Sequence, residues 1–392
     1  MVRTGMLVKA TFVAAILRIG MSGPVYGQAA AADPPNGFIP PFQQAIHQGP
    51  NGAATPPSGT ISPDSDLPGL HAPTYAPPVS MPPLAAAPAC GAPACGNAEC
   101  AGCVGGLFVD AEYLLMKPTR RQTDFVIIDP SRDGTPQGTI ESVSWDTDSG
   151  FRVGGGYGFP GAGWEVGGYY TYFHSSGHDF ASSPAGGTLF ATLTHPGGIE
   201  QVDTADAGTA FNYQIFDIEV GRRFEVGDSF TVRVFGGGRF AWIKQSLNVL
   251  YNGGDATNAF VASPIKFNGA GLRVGGEGYW NFWRGFSLFA RAGASLLEGN
   301  FHTSLLETNN NGGTINVNVS DSFENMVPVA ELGLGVAWHY RNIFVTASYE
   351  MTNWFNMVDS PSFVDDTDQG KMARRQSDLS LQGLAVRMGM SF

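Results

Sequence analysis

The chain has few charges, and positive charge in particular is scarce. Only 14% of its 392 residues are charged, and 22 Lys and Arg against 34 Asp and Glu leave a net charge of −12. Nucleic-acid affinity depends largely on Lys and Arg side chains that neutralise phosphates. The composition therefore argues against a nucleic-acid partner.

Long apolar runs are absent beyond the first residues. Residues 1–27 begin with basic residues and continue with an apolar run from Ala10 to Leu17, the pattern of a cleaved secretory signal. Arg18 ends that run after about eight residues, too few to span a bilayer core of roughly 30 Å. No later segment contains eighteen consecutive apolar residues. We therefore expect an exported protein, which is either water-soluble or a membrane β-barrel.

Residues 28–105 show no pattern of regular secondary structure. They are rich in Pro, Ala and Gly and include five Pro-Pro pairs. Such a composition buries too little apolar surface to offset the entropy lost on ordering. We expect a disordered or extended arm in the periplasm, with a periplasmic or cell-wall partner as a further hypothesis.

The four cysteines all lie in this arm. They are Cys90, Cys95, Cys100 and Cys103. An oxidising cell envelope favours disulfides, within the arm or to a partner. Four thiolates are also compatible with a structural zinc site, and the last three match part of a plant-type iron–sulfur spacing. Export in the unfolded state and the lack of a distant fourth cysteine argue against a cluster, so we expect oxidised cysteines, no metal and no cofactor.

Glycine is abundant, at 53 residues, and from Gly106 onward apolar residues alternate with small or polar ones. A period of two is typical of strands whose two faces meet different environments. In the last segment, for example, Leu384 and Val386 alternate with Ala385 and Arg387. Turn residues bound ten predicted strands, which cover 107–117, 139–158, 164–174, 210–223, 229–246, 264–280, 286–301, 322–339, 343–353 and 379–392. Twelve strands, with two inside long loops, are the alternative.

Loop lengths favour a transmembrane barrel over a soluble β-sandwich. Short turns alternate with long segments, as in outer-membrane barrels with short periplasmic turns and long outer loops. The long segments are 118–138, 175–209, 247–263, 302–321 and 354–378. We therefore predict an all-β, antiparallel, up-and-down transmembrane barrel over residues 106–392, located in the outer membrane.

Aromatic residues support the same prediction. Those beside the short turns are Tyr157, Trp164, Trp280, Trp283 and Trp338, and those beside long loops are Trp242 and Trp354. Amphipathic rings favour the two membrane interfaces, so we expect two aromatic girdles. The final residue, Phe392, resembles the terminal aromatic of outer-membrane proteins that is read by the barrel assembly machinery, which we expect as a partner.

Three stretches carry a resemblance to a known family. They are GLFVDAEYL from Gly106, WD at Trp145 with SGFRVG from Ser149, and GW at Gly163 with YTYFHSS from Tyr170. Residues 106–392 resemble the Legionella-type pore-forming major outer-membrane protein family, with related barrels in planctomycete-type bacteria. The resemblance implies a pore-forming barrel without catalytic residues. The Pro-rich arm departs from the family pattern, so its role does not follow from it.

Charged strand positions face the lumen if the apolar positions face lipid. The candidates for the pore lining are Arg152, Glu165, Asp217, Glu219, Arg233, Arg239, Arg273, Glu277, Arg291, Glu331, Glu350 and Arg387, and Asp110 and Glu112 project the same way. Rings of charge set ion selectivity in pores, but the same residues are equally consistent with salt bridges that fill a narrow barrel. Ten strands imply a backbone diameter of roughly 20 Å and a lumen of about 10 Å or less.

Two short motifs suggest ligands, and simpler explanations are preferred for both. Residues 156–161 match a dinucleotide-binding fingerprint, but Pro160 and a following strand replace the required helix, so we predict a turn. Asp359, Asp365, Asp366 and Asp368 offer oxygen ligands for calcium, but they lack EF-hand order and are interpreted as a solvated acidic loop.

Histidines near the second long loop suggest hydrolysis. His174, His178 and His195 lie in or beside that loop with Ser175, Ser176 and Asp179. A Ser, His and Asp set is the pattern of a nucleophilic hydrolase, although ordinary loop composition explains these residues better. We expect no catalytic residues and no enzyme activity.

The leading functional hypothesis is passive diffusion of small solutes or ions through a narrow barrel in contact with outer-membrane lipid. A closed barrel with a structural or adhesive role at the cell surface is the alternative. A barrel hydrolase is a weaker one.

Overall fold

The computed structural model describes residues 105–358, 361–364, 370–374 and 376–392. The predicted signal sequence, the arm and its four cysteines lie outside the described residues. The described chain is all β, with strands β1 (Gly106–Arg120), β2 (Asp124–Asp129), β3 (Thr139–Ser142), β4 (Asp148–Gly158), β5 (Trp164–Ser182), β6 (Thr188–Ala191), β7 (Gln201–Val202), β8 (Thr204–Val226), β9 (Phe230–Gly253), β10 (Ala256–Trp283), β11 (Phe286–Asn309), β12 (Thr314–Tyr340), β13 (Ile343–Val358), β14 (Ser362–Phe363), β15 (Met372–Ala373) and β16 (Gln376–Ser391). Within these residues, no helix has the length and hydropathy needed to cross a bilayer.

Ten strands form one closed antiparallel barrel, in the order β1-β4-β5-β8-β9-β10-β11-β12-β13-β16. Neighbours in the ring follow one another along the chain, so the topology is up-and-down. The ring closes where β1 pairs with β16, from Phe108 opposite Ser391 to Arg120 opposite Leu379. The prediction of a barrel of about ten strands is confirmed.

Several barrel strands are much longer than predicted. β10 has 28 residues and β12 has 27, whereas about 9–11 residues are enough to cross a bilayer. The segments 247–263 and 302–321, predicted as long outer loops, are mostly strand. The predicted strand 139–158 is also wrong at its start, because β3 lies in a separate sheet and the barrel strand begins only at Asp148.

Tight turns replace two of the predicted loops. Gly253 and Gly254 have φ values of +82° and +57° between β9 and β10, and Asn310, Asn311 and Gly312 have +54°, +56° and +81° between β11 and β12. Gly, and to a lesser degree Asn, adopts this left-handed conformation at low cost. These residues therefore permit continuous hairpins where long loops were expected.

The lower half of the barrel, next to the short turns, has apolar residues outside and charged residues inside. On β8, Ile218 and Val220 are 44% and 50% exposed, whereas the residues that alternate with them, Asp217 and Glu219, are 5% and 4% exposed. The strand therefore presents its apolar face away from the barrel and its charged face toward the interior. This is the arrangement of a transmembrane barrel.

The upper half of the same strands has the opposite arrangement. On β9, Ile243 and Val249 are buried inside the barrel, while Lys244 and Asn248 face outward. Apolar residues inside and polar residues outside are typical of a soluble protein. The barrel therefore extends beyond the apolar belt that contacts lipid.

A ring of outward polar residues, here called the polar boundary, separates the two halves. It consists of Lys117, His174, Gln214, Lys244, Asn268, Glu298, Glu324, Asn353 and Gln382. Below it, the outward face of β8 carries Phe216, Ile218, Val220 and Phe224 over nine residues, with Arg222 as the one charged position, against the rings of Trp164 and Phe224 next to the short turn. At about 3.3 Å per residue and a tilt near 40°, those residues span about 23 Å along the barrel axis, close to the height of the apolar band in such barrels.

Aromatic residues at the short-turn end form one outward girdle. Trp164, Trp280, Trp283 and Trp338 are all at least 38% exposed, and Trp338 stacks on Tyr340 with ring centroids 5.9 Å apart. At the polar boundary, Trp242 also faces outward and is 42% exposed. The prediction for Trp354 is wrong, because its strand position faces the interior and its side chain is fully buried.

A small sheet covers the upper end of the barrel. Its order is β3-β2-β6-β7, and its residues Phe125, Val126 and Leu189 pack in one buried cluster with Val249 and Leu305 of the barrel. The Tyr251 hydroxyl donates a hydrogen bond of 2.5 Å to the Phe125 carbonyl. We call this sheet, with the segments that connect it, the cap.

We predict that Leu334→Arg on β12 lowers the free energy of unfolding by about 2–4 kcal/mol, because Leu334 lies in the apolar belt and is 68% exposed. Ser320→Arg, on the same face above the polar boundary, should change it by about 1 kcal/mol or less. Denaturant titrations of both variants refolded into lipid vesicles give the two values. Equal effects would contradict the position of the belt.

Candidate functional site

The interior of the lower half contains the charged residues predicted from the sequence. Alternation along each strand directs them inward, and each of the ten barrel strands contributes at least one. They are Asp110, Glu112, Arg152, Glu165, Asp217, Glu219, Arg233, Arg239, Arg273, Glu277, Arg291, Glu331, Glu350 and Arg387, here called the charged layer. All twelve predicted lining residues belong to it.

Arg239 and Arg273 hold one side of the charged layer together. Arg239 donates two hydrogen bonds to Asp217, of 2.7 and 2.8 Å, and pairs with Glu331 at 2.8 Å. Arg273 also pairs with Glu331, at 2.7 Å, and with Glu219. Because one carboxylate is shared by two guanidinium groups, these pairs form a network that links β8, β9, β10 and β12.

The other side of the layer is connected in the same way. Arg387 donates two hydrogen bonds of 3.0 Å to Asp110. Arg152 pairs with Glu112 and, at 3.3 Å, with Glu350. Arg291 reaches the same Glu350 at 3.2 Å. The pairs of Arg387 with Asp110 and of Arg152 with Glu112 join neighbouring strands. Glu350 of β13 instead pairs with Arg152 of β4 and Arg291 of β11, which are not its neighbours in the ring, so these side chains extend across part of the lumen.

Three contacts, from Arg291 to Glu277, from Glu277 to Arg233 and from Arg233 to Glu219, join the two sides of the layer. Glu277 pairs with Arg291 at 2.8 Å and with Arg233 at 3.6 Å. Arg233 also pairs with Glu165 and, at 3.0 Å, with Glu219. Among the described residues this network reaches nine of the ten barrel strands, and β16 contributes the separate pair of Arg387 with Asp110.

Little open space remains within the charged layer. The cavity lined by Arg152, Asp217, Arg239, Glu277 and Arg387, with their neighbours, has a volume of about 30 Å³, which is room for about one water molecule. The described side chains therefore fill this section of the barrel with ion pairs.

Above the charged layer, a second layer of aromatic side chains fills the interior. It comprises Trp145, Phe173, Phe211, Tyr213, Phe267, Phe301 and Trp354, all buried. The rings of Tyr213 and Trp354 meet edge to face with centroids 5.9 Å apart. Tyr213 is on β8 and Trp354 on β13, which lie five positions apart in a ring of ten strands. Side chains from opposite walls are therefore in contact at the centre of the barrel.

Sequence reasoning did not identify this aromatic layer. Except for Trp145, which precedes β4, its members lie on the same strand face as the charged layer, two or more residues higher along each strand. Tyr213 and Asp217, for example, are four residues apart on β8. The sequence does contain a signal for this layer. Along several strands, the inward positions change from charged to aromatic residues at the point where the outward positions change from apolar to polar. The prediction that every apolar strand position faces lipid led us to overlook this change.

The residues suggested for hydrolysis do not come together. His178 Nε2 lies 2.8 Å from Asp206 Oδ1 on the outer wall, where both residues are exposed. Ser175 points the other way, and its hydroxyl donates to the Asp146 carbonyl at 3.0 Å. His195 lies elsewhere, with its ring 4.4 Å from that of Phe363.

The motif at residues 156–161 was predicted to be a turn. Residues 156–158 belong to β4, and the turn between β4 and β5 covers residues 159–163, with positive φ at Gly161 and Gly163, so the prediction holds only for the second half of the motif. The aspartates 359, 365, 366 and 368 lie outside the described residues. In the part of the chain that is described, no group of three or more His, Cys, Asp or Glu side chains is arranged to hold a metal ion.

Comparison with known families is decisive for the kind of protein. The family model described as Legionella pneumophila major outer membrane protein precursor matches residues 106–392, the whole barrel. The chain belongs to this family. As a member of the Legionella major outer membrane protein family with a closed, apolar-belted barrel, it is located in the outer membrane.

Solved barrels show only distant likeness to this family member. The outer membrane protease OmpT of Escherichia coli is 8% identical, with 73% of this chain and 97% of that chain covered and a TM-score of 0.42. The translocator domain of autotransporter NalP from Neisseria meningitidis is 13% identical over 73% and 88%, with a TM-score of 0.28. The Pseudomonas putida toluene transporter TodX is 10% identical over 73% and 90%, with a TM-score of 0.24. No curated protein matches.

We predict that Arg239→Met destabilises the folded barrel by about 3–5 kcal/mol, because buried Asp217 loses both of its hydrogen bonds from Arg239 and Glu331 keeps only Arg273 as a partner. Arg132→Met is the matched control, since Arg132 pairs with Asp203 on the exposed surface of the cap; it should cost about 1 kcal/mol or less. Unfolding midpoints in vesicles at fixed ionic strength measure both. A similar small cost for both variants would contradict a buried network.

Proposed function

We propose that the protein is a closed outer-membrane barrel that displays its upper half and cap at the cell surface, in a structural or adhesive role. The observation that carries the proposal is the contact between Tyr213 and Trp354, which joins opposite walls of the barrel. The charged layer below it leaves a cavity of only about 30 Å³. The two filled layers in series support a lumen that is closed to hydrated ions.

The upper half supports a role at the surface. Strands continue above the polar boundary for many residues, with polar side chains outside and an apolar interior that packs against the cap. By the general rule for such barrels, the short turns face the periplasm and this end faces the medium. A rigid, folded extension positions the cap well above the lipid, as a display function requires.

A gated pore for small solutes or ions is the second candidate. It is favoured by the charged layer, whose mixed Arg and carboxylate side chains resemble the lining of a selective constriction. The layer holds six arginines and eight carboxylates, and this excess of acid would favour cations. Conduction would require both the aromatic layer and the charged layer to rearrange.

We also propose that the protein is not an enzyme. What supports this is the separation of the residues considered for hydrolysis, since His178 and Asp206 lie on the outer wall while Ser175 points to the Asp146 carbonyl. We likewise propose that the barrel assembly machinery inserts the barrel, and that residues 28–105 bind a periplasmic or cell-wall partner.

Planar-bilayer recording tests the closed state. Wild-type mature protein should insert without discrete current steps, because both layers occupy the lumen. Tyr213→Ala combined with Trp354→Ala should raise the frequency of brief steps, because the two rings that meet at the centre are removed and rearrangement of the charged layer alone then opens the lumen. Trp338→Ala, in the outer girdle, is the control and should stay silent.

Folding of each variant is verified by its heat-dependent mobility on gels. Regular steps from the wild type would contradict the closed barrel and support the gated pore. Silence of the wild type with steps from the double variant would support the aromatic layer as the barrier.

A further inference from the structure

Two lysines lie side by side on the outer wall, just above the apolar belt. Lys244 of β9 is directly opposite Lys266 of β10, and Lys266 is in turn opposite His302 of β11. All three side chains are exposed, and within the described chain neither lysine forms an ion pair. Like charges directly opposite one another on a sheet are destabilising, so this row is suited to an anion.

A groove opens immediately below the row, on the same outer wall. It has a volume of about 380 Å³. One wall consists of Phe240 and Trp242, and small residues such as Ala270 and Gly269 form the floor. Register places Phe240 opposite Ala270, and Trp242 opposite Asn268, one pair of residues below the lysines. The groove is therefore continuous with the lipid-facing belt and ends at the polar boundary.

The far wall of the groove is polar. Glu298, Asn300 and Glu324 line it, and these exposed side chains offer hydrogen-bond acceptors at the level where lipid headgroups begin. A fully apolar groove would suit an acyl chain alone. The combination of an aromatic wall, a basic row above and acceptors opposite suits a molecule with a chain, a phosphate and hydroxyl or amine donors.

We propose that this groove is a binding site for one phosphate-bearing lipid of the outer leaflet. An acyl chain lies against Phe240, Trp242 and Ala270, and the phosphate lies between Lys244 and Lys266. Glu298 and Glu324 accept hydrogen bonds from the hydroxyl or amine groups of the headgroup. The bound lipid offsets the repulsion between the lysines, and it holds the barrel at a fixed depth in the membrane.

The test uses the full mature protein, freed of lipid in detergent, and counts bound lipid by native mass spectrometry. The probe is dioleoyl phosphatidylglycerol, whose headgroup carries one phosphate and two hydroxyls, and dioleoylglycerol is the matched lipid without phosphate. We expect one phosphatidylglycerol per chain and much weaker retention of dioleoylglycerol. Lys244→Gln with Lys266→Gln should reduce the affinity by about tenfold or more, and Ala270→Phe, which fills the groove, should do the same.

Lys117→Gln is the control, because Lys117 lies at the polar boundary on β1, opposite Gln382 and far round the ring from the groove. It should leave the affinity unchanged. Equal binding by wild type, the double lysine variant and Ala270→Phe would overturn the proposal. Displacement of the lipid by millimolar inorganic phosphate would also overturn it, since the site would then recognise a free anion rather than a lipid.

Discussion

The need to pair every backbone hydrogen bond within the membrane determines this structure. Lipid offers no partners for N–H and C=O groups, so a sheet that crosses it must close on itself. Here the closure joins β1 to β16 over thirteen residue pairs. With only ten strands, the ring is narrow enough for side chains to fill its interior, as in other small barrels. The ion pairs and the aromatic layer are the two ways in which this chain fills it.

The change of polarity along each strand follows from the same constraint. In lipid, the outer face must be apolar, so the charged residues face the interior, where they form ion pairs with one another. Above the lipid, water surrounds the barrel, so the burial of apolar area inside becomes the stabilising term. Lys244 faces outward and its neighbour Ile243 faces inward on β9. At their level, the apolar outer face of the lower half gives way to the polar outer face of the upper half. The soluble-type upper half carries the cap, and the lower half anchors it.

Much of the lower half could be predicted from the sequence, because alternation there has only one interpretation in lipid. The twelve predicted lining residues reach the interior, and the girdle tryptophans next to the short turns face outward. The upper half was misjudged because the same alternation has the reverse meaning in water. Trp354 was assigned to a girdle but is buried at the centre of the barrel. The hairpin signals were present at Gly253-Gly254 and Asn311-Gly312, yet the polar outer face beside them resembled loop sequence. The cap depends on pairing between distant segments, such as β2 with β6, which local patterns do not specify.

The most direct measurement is the water accessibility of the interior at the aromatic layer. In a chain whose four native cysteines are replaced by serine, single cysteines are introduced by Ile243→Cys and, one residue along, by Lys244→Cys. The barrel is folded into vesicles and treated with a charged, membrane-impermeant thiol reagent. We predict that the cysteine at position 244 reacts completely and that the cysteine at position 243 does not react until the barrel is unfolded. Reaction of both at comparable rates in the folded protein would contradict a filled interior.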